Sequence, residues 1–507
     1  MNIARIVSKN AQRFPQKVAI VDEGQRSNYQ ELDRRVNQLG NALLARGIEK
    51  GDKIGLFLPN CKEFLESFFA VTRIGAVVVP INFRLIGKEI SYVLNDAEAK
   101  ALIFSSNFQE LIWKTKENFH TVKTLIEVGR GKSGLLNYED LLTAASDSEP
   151  TVGVEMDDIA LIMYTSGTTG FPKGAMLSHG NLFWNSVNVN SHHGFRPEDV
   201  SLILLPLFHT AGLNFQTIPV LQAGGSVVLL QEYDARRILS LFKQEKVSST
   251  FLLPYMWKEI SEIPDLESWD IFSLRLMISG SSPTPIPVIQ RLGKVFKGEY
   301  VLNFGMTEAG LNCVLDSRDI VRKNLSIGKP TMFVEMRIID EQGKDVAIDE
   351  VGEIVLRGPT VTPGYFKLGK ATEEAKKGGW FHSGDLAKFD REGFIFIADR
   401  KKDMIKSGGE NVYSREVESV LESHPKISEA AVIGVPDEKW DEAVKAFIVL
   451  KAGEQLTSEE VIAYCKEHLA GFKKPKHVQF VSALPRNAVN RVMKGDLRKM
   501  NKENEPS

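Results

Sequence analysis

Residues 164 to 174 read Tyr-Thr-Ser-Gly-Thr-Thr-Gly-Phe-Pro-Lys-Gly and concentrate groups that suit a polyanion. Gly167, Gly170 and Gly174 permit positive φ and let successive backbone N–H groups turn inward, an arrangement that nests phosphate. Thr165, Ser166, Thr168 and Thr169 add hydroxyl donors, and Lys173 adds a cation. Pro172 stiffens the segment, which argues against a flexible Ser/Thr/Gly linker. Two further turns carry residue types that fit beside such a loop. Leu276-Met-Ile-Ser is closed by Gly280, Ser281 and Ser282; Val301-Leu is followed by Asn303, Phe304, Gly305, Met306, Thr307 and Glu308. A phenyl ring such as Phe304 can lie flat on a base, and Glu308 can hold a Mg²⁺ that bridges phosphates. Taken alone, Phe304 suits a core and Glu308 a solvated carboxylate; their order and spacing after the loop favour a site. In Trp380-Phe-His-Ser-Gly-Asp385, the Asp385 carboxylate suits ribose hydroxyls.

These residues need strands that end beside one another. Ile159-Ala-Leu-Ile-Met reads as a buried strand feeding the loop, and a helix is expected to open within residues 175–182. Lys173 is followed by Gly174 rather than Ser or Thr, so the loop is not a Walker A motif. No Gly-x-Gly-x-x-Gly opens a helix after a strand, so a dinucleotide site has no support. Asn28 and Glu31 form a capping box for a helix whose apolar face is Leu32, Val36, Leu39 and Leu43, with Gly47 at C′. Strands are expected from Lys53, from Ala76, over 101–104, 227–230 and 249–253, and helices over 62–74 and from Asp234. The alternation predicts an α/β fold of layered, mostly parallel sheets, with ligands bound beyond the carboxyl ends of strands. From Glu353 the pattern changes. Residues 352–358 and 393–398 read as strands of a small sheet subdomain, and Asp399-Arg-Lys-Lys-Asp is a polar link. An α+β pattern follows: helix 414–423, strands 429–435 and 443–450, helix 457–469. The expected division is a large N-terminal domain, 1–401, and a small C-terminal one, 402–507.

Composition sets limits. The chain has 507 residues, 43% hydrophobic and 25% charged, with a formal net charge of -2, which excludes a whole-protein electrostatic match to nucleic acid. Cys61, Cys313 and Cys465 lie far apart in sequence, with no zinc spacing, and suit a reducing cytoplasm. The N-terminus lacks the apolar core of a secretory signal. The most apolar run, Phe68 to Ile81, is interrupted by Arg73 and is shorter than the ~20 residues that span a bilayer. Peripheral contact with a membrane stays compatible with this sequence, as do monomer and homodimer.

The 164–174 loop resembles the signature loop of the adenylate-forming superfamily: acyl-CoA synthetases, aryl-CoA ligases, luciferases and peptide-synthetase adenylation domains. The likeness runs in family order from about Asn28 through Lys499. It implies ATP, Mg²⁺ and CoA as cofactor and co-substrates, and a small-molecule carboxylic acid as the partner. In such enzymes the 280–282 and 303–306 turns build the adenine pocket, Thr307 and Glu308 serve phosphate and magnesium with Thr165, and Lys173 serves phosphate. Asp385 and Arg400 match ribose and phosphate ligands, with Ile397 beside them. Lys402 matches the hinge of a mobile C-terminal domain, and Gly408 and Gly409 line the pantetheine tunnel. Pro206-Leu-Phe-His209 matches a segment whose histidine lies beside the acyl pocket. One departure stands out. Relatives read Pro-Arg-x-x-x-Gly-Lys near the C-terminus, and this chain reads Pro485-Arg-Asn-Ala-Val-Asn-Arg491-Val-Met-Lys494. Arg491 takes the place of the adenylation lysine, with Lys494 as the alternative one turn on. The resemblance implies an AMP-forming acyl-CoA synthetase, with a medium-to-long fatty acid first and an aryl acid second. The alternatives are a stand-alone adenylation enzyme that loads a carrier protein and a nucleotide-binding regulator with impaired catalysis.

Overall fold

The computed structural model describes residues 2–129, 135–165, 172–407, 410–437, 440–487 and 492–503. The chain packs as two compact units: Met1–Met336 with Leu356–Phe381, and Arg337–Val355 with His382–Ser507. Residues 382–401, which precede the expected boundary at Lys402, pack with the second unit.

The first unit carries two large sheets. Among the described residues, one has eight strands, and its parallel part runs Ile159–Thr165, Val77–Pro80, Lys53–Phe57, Ala99–Ser105, Thr124–Val128, Leu136–Asn137. The strand Val77–Pro80 is buried throughout, as its unbroken apolar run requires of a strand covered on both faces. The other sheet has nine strands, with a parallel core from Glu299–Met306 through Leu276–Gly280, Ser249–Phe251, Val200–Ile203 and Ser226–Leu229 to Val18–Asp22. Between the sheets' strands lie the expected helices. Tyr29–Leu44 starts where Asn28 Oδ1 accepts the Glu31 N–H at 2.8 Å, and Leu32, Val36, Leu39 and Leu43 are fully buried. Gly47 falls one residue later than expected. The helix is capped by Ala45, which stays right-handed, so the left-handed turn at φ +75 comes at C″.

Each large sheet has an antiparallel hairpin beside its parallel part that carries expected site residues. Ile159–Thr165 pairs with Lys173–Ser178, and Glu299–Met306 with Gly310–Leu315. The helix expected to open within 175–182 does so at His179, and the strand Lys173–Ser178 that precedes it is an addition to the expectation. Residues 173–178 return as a strand because Ala175 and Leu177 bury one face. The helix His179–His193 waits for its signal: Ser178 Oγ accepts the Asn181 N–H at 3.1 Å while Asn181 Oδ1 accepts the Ser178 N–H at 2.9 Å. That reciprocal capping box fixes the start.

In the second unit, Ile395–Arg400 pairs antiparallel with the 385–389 part of its neighbour, placing Asp385 opposite Arg400. Beyond it come the helix Ser414–Glu422, the antiparallel pair Ile427–Asp437 and Asp441–Leu450, the helix Ser458–His468, the strand His477–Phe480 and the helix Lys494–Glu503. The four elements expected here agree to within two residues, and the strand His477–Phe480 and the helix Lys494–Glu503 are additional. Val417, Leu421, Val432, Val444, Ile448 and Val461 pack on one face of this sheet, and Ile433, Phe447, Leu484 and Leu497 on the other. The three cysteines are free and buried. Among the described residues no helix is long and apolar enough to cross a membrane.

Candidate active site

The turn of the second hairpin packs against a strand of the first. Thr165 stands opposite Lys173, with its hydroxyl 3.5 Å from the Lys173 carbonyl. Thr307, in the turn of the second hairpin, is buried, and its hydroxyl lies 4.0 Å from Met163 Sδ in the first. A third segment joins them: the strand Gly364–Tyr365 pairs with residues 175 and 176 of the first hairpin. The Tyr365 hydroxyl donates to Glu308 Oε1 at 3.1 Å, and Lys173 Nζ lies 5.4 Å from the centre of the Tyr365 ring. The Thr362 N–H donates to the Glu308 carbonyl at 2.7 Å. One cation and one carboxylate are thus gathered at the loop's base. Magnesium is commonly held by one or two carboxylates plus the phosphates of a nucleotide, and a single Glu308 with the Thr165 hydroxyl fits that pattern. Ser166, Gly167, Thr168, Thr169 and Gly170 lie outside the described residues.

The neighbouring strand ends pack closely around two glycines. Gly280 stands opposite Asn303, and a Cβ on Gly280 would come within 2.8 Å of the Asn303 carbonyl and 2.9 Å of the Phe251 ring. A Cβ on Gly305 would meet the Phe215 ring at 2.7 Å and the Gly310 carbonyl. Both positions therefore require glycine. Ser281 follows at φ +73, a left-handed conformation rare for a side-chain-bearing residue and typical of functional turns; Ser282 beside it is exposed. Phe304 and Met306 are partly exposed rather than core. Asn303 is buried. Its Nδ2 lies 3.0 Å from His193 Nε2, and its Oδ1 has no partner among the described residues. Burial above all pulls the His193 imidazole down to about 3, so the ring is neutral at pH 7 and Nε2 accepts from the amide. Burial likewise pulls His209 down to about 4; its Nδ1 accepts the Ala211 N–H at 3.3 Å, which leaves the proton on Nε2.

Sequence reasoning overlooked Tyr365, His193 and three asparagines. On the helix His179–His193, Asn181 donates to the carbonyls of Pro359 and Val361 at 2.8 and 3.0 Å. Asn185 accepts the Leu311 N–H at 2.9 Å, and Asn188 donates to the Leu311 carbonyl at 2.8 Å. This amide row ties the helix to the second hairpin and to the segment leading to Tyr365. Its spacing, Asn181-x3-Asn185-x2-Asn188, places it on one face, and that repeat of asparagines at helical spacing was the readable signal.

The second unit holds the remaining residues. Asp385 is buried, and Arg400 Nε pairs with its Oδ1 at 3.2 Å. Ile397 stands opposite Ala387 on the same strand pair. Lys402 is exposed, and its carbonyl accepts from Arg498, which also pairs with Asp403 at 2.9 Å. Lys494 is mostly buried: its Nζ pairs with Glu418 Oε1 at 2.7 Å and donates to Ser414 Oγ. Gly408, Gly409 and Arg491 lie outside the described residues.

Residues 7–366 match the model of the AMP-binding enzyme family, and residues 416–491 that of the AMP-binding enzyme C-terminal domain. The chain is 39% identical to a feruloyl-CoA synthase of Amycolatopsis sp, over 97% of each chain. It is 34% identical to the long-chain-fatty-acid–CoA ligase FadD13 of Mycobacterium tuberculosis, over 98% of each. The crystal structure of ATP-bound MatB from Rhodopseudomonas palustris superposes with a TM-score of 0.89 at 32% identity, over 99% of each chain. The chain therefore belongs to the AMP-binding enzyme family, among its AMP-forming acid–thiol ligases.

Proposed function

We propose that this enzyme activates a carboxylic acid with ATP and passes the acyl group to the thiol of CoA. The observation that carries the nucleotide half is the buried Asn303 Oδ1. A buried acceptor without a partner among the described residues is costly, and Asn303 stands opposite Gly280 on the neighbouring strand and precedes the partly exposed Phe304. The exocyclic amine of adenine is a matching donor, with the base lying on Phe304.

In the first half-reaction a carboxylate oxygen attacks the α-phosphorus, the bond to the β-phosphate's bridging oxygen breaks, and pyrophosphate leaves. Lys173 and the loop hydroxyls neutralise the leaving charge, a task in which positioned donors contribute most when water is excluded. Thr165 and Glu308 would hold Mg²⁺, which supplies further charge neutralisation on the phosphates. Asp385 takes the ribose hydroxyls, with Arg400 aligned on it. Arg491 spans the carboxylate and an α-phosphate oxygen with its fork of donors; the engagement of Lys494 by Glu418 supports Arg491 over Lys494 in that role. In the second half-reaction the CoA sulfur attacks the acyl carbonyl, the bond to AMP breaks, and the thioester forms. The C-terminal domain turns about Lys402 between the two steps, and Gly408 and Gly409 pass the pantetheine arm.

The acid is a planar aryl acid, with a medium-to-long fatty acid second. The support is the pair of phenyl rings, Phe215 and Phe251, that fill the space beside Gly305 and Gly280, together with the likeness to a feruloyl-CoA synthase. Three free cysteines fit a cytoplasmic enzyme. A panel of hydroxycinnamic, benzoic and fatty acids, read by pyrophosphate release and by thioester formation with free CoA, tests this. Higher kcat/KM for fatty acids overturns the aryl assignment. Absence of acid-dependent ATP–pyrophosphate exchange with every acid overturns the adenylation reading, and activity only with a carrier protein replaces CoA as acceptor.

A further inference from the structure

The segment 362–366 touches both charged groups at the base of the loop. Its backbone is fixed on three sides. The Thr362 N–H holds the Glu308 carbonyl, the Phe366 N–H donates to the Gly174 carbonyl at 2.8 Å, and the Tyr365 N–H donates to Thr372 Oγ1 at 2.9 Å. The Tyr365 side chain is therefore held with its hydroxyl at Glu308 and its ring face 5.4 Å from the Lys173 ammonium. A phenol is a one-donor group, and its bond to Oε1 tethers the Glu308 carboxylate at one oxygen. A cation over an aromatic face within about 6 Å is attracted by the ring quadrupole, which holds the ammonium near the loop without neutralising it, as a carboxylate would.

We propose that Tyr365 is the positioning residue of the phosphate site, with its hydroxyl aiming Glu308 at Mg²⁺ and its ring aiming Lys173 at the nucleotide phosphates. The inference rests on the reading of Glu308 as the magnesium-side carboxylate. An ordinary phenol, with a pKa of about 10, is protonated and a donor at neutral pH. Hydrogen-bond partners of metal-binding carboxylates orient them, and their loss typically lowers affinity or activity ~10–100-fold.

The test separates hydroxyl from ring. Binding of α,β-methylene ATP, which cannot be cleaved at the reacting bond, is measured calorimetrically on the full-length enzyme, across a Mg²⁺ titration and in EDTA. Tyr365→Phe keeps the ring: apparent Mg²⁺ affinity falls ~10-fold, nucleotide binding in EDTA stays at the wild-type value, and the thermal unfolding midpoint holds. Tyr365→Leu removes both and weakens binding in EDTA as well. Glu308→Gln is the reference. If it shifts the Mg²⁺ dependence and Tyr365→Phe does not, the positioning role is overturned while the reading of Glu308 stands. If Glu308→Gln leaves the Mg²⁺ dependence unchanged, that reading falls and the inference with it. Equal weakening of Tyr365→Phe with and without Mg²⁺ marks a merely structural residue and also overturns the proposal.

Discussion

Lys173 and Lys494 look alike in the sequence: each follows a motif and each has a case for contacting phosphate. Their surroundings are opposite. No carboxylate among the described residues lies within ion-pair distance of Lys173; its ammonium rests near an aromatic face and is partly exposed. Lys494 is packed into its unit with Glu418 and Ser414, and Ser414 Oγ donates in turn to Asp399 at 2.7 Å. The difference teaches that a lysine's role is set by what already neutralises it. A cation held by a carboxylate is a structural tie; one held by a ring keeps its charge available.

Substitutions should separate the two. Lys173→Met is expected to lower acid-dependent ATP–pyrophosphate exchange on the order of 10²–10³-fold, the usual loss for one preorganised donor, with the unfolding midpoint unchanged. Arg491→Ala should show a loss of the same order in adenylation while converting pre-made acyl-adenylate to thioester nearly normally. Lys494→Met should do the reverse: exchange per folded molecule near wild type, but stability down by about 3 kcal/mol, since removing one partner strands a buried charge. A large loss of exchange with stability intact would move the catalytic role to Lys494.

The stability defect should depend on pH. Burial already holds the Glu418 carboxyl above its ordinary range against the opposing pull of Lys494. A group with a raised folded-state pKa favours the fold below its ordinary value, and that contribution is lost as pH rises through the folded one. Without Lys494 the carboxyl is raised further, so the Lys494→Met deficit should be smaller near about pH 5 than near about pH 8 in denaturant titrations. A pH-independent deficit would mean that packing, not charge, is what Lys494 supplies. Lys402→Pro should slow thioester release and spare exchange, because it restricts φ where a hinge needs freedom; equal loss of both half-reactions removes the hinge. The smallest effect concerns His209. With its imidazole pulled down to about 4, it should contribute no inflection to the adenylation rate between about pH 6 and pH 8. An inflection there that disappears in His209→Ala would show a titrating ring.

Much of the fold was legible because its signals are local. Unbroken apolar runs marked the buried parallel strands, Asn28 marked a helix start, and Gly280 marked the end of a strand. The expected site residues could be named for the same reason, since they stand in contiguous motifs. What escaped depends on distant partners. Tyr365 meets Glu308 across 57 positions, and Lys494 meets Ser414 across 80; neither partner is implied by spacing. The return strand 173–178 was missed because Ala-Met-Leu serves helix and strand alike, and only the capping box at Ser178 decides where the helix begins.

The burial of the three cysteines has a chemical consequence. An acyl-adenylate is an electrophile that any nearby thiolate intercepts, and the enzyme must keep it for the thiol of CoA. Cys61 and Cys313 are buried with their thiols pushed well up by burial, and Cys465 is pushed up to about 11. The protein therefore offers its own activated product no competing sulfur nucleophile: protection against self-acylation is built into where the sulfur atoms are kept.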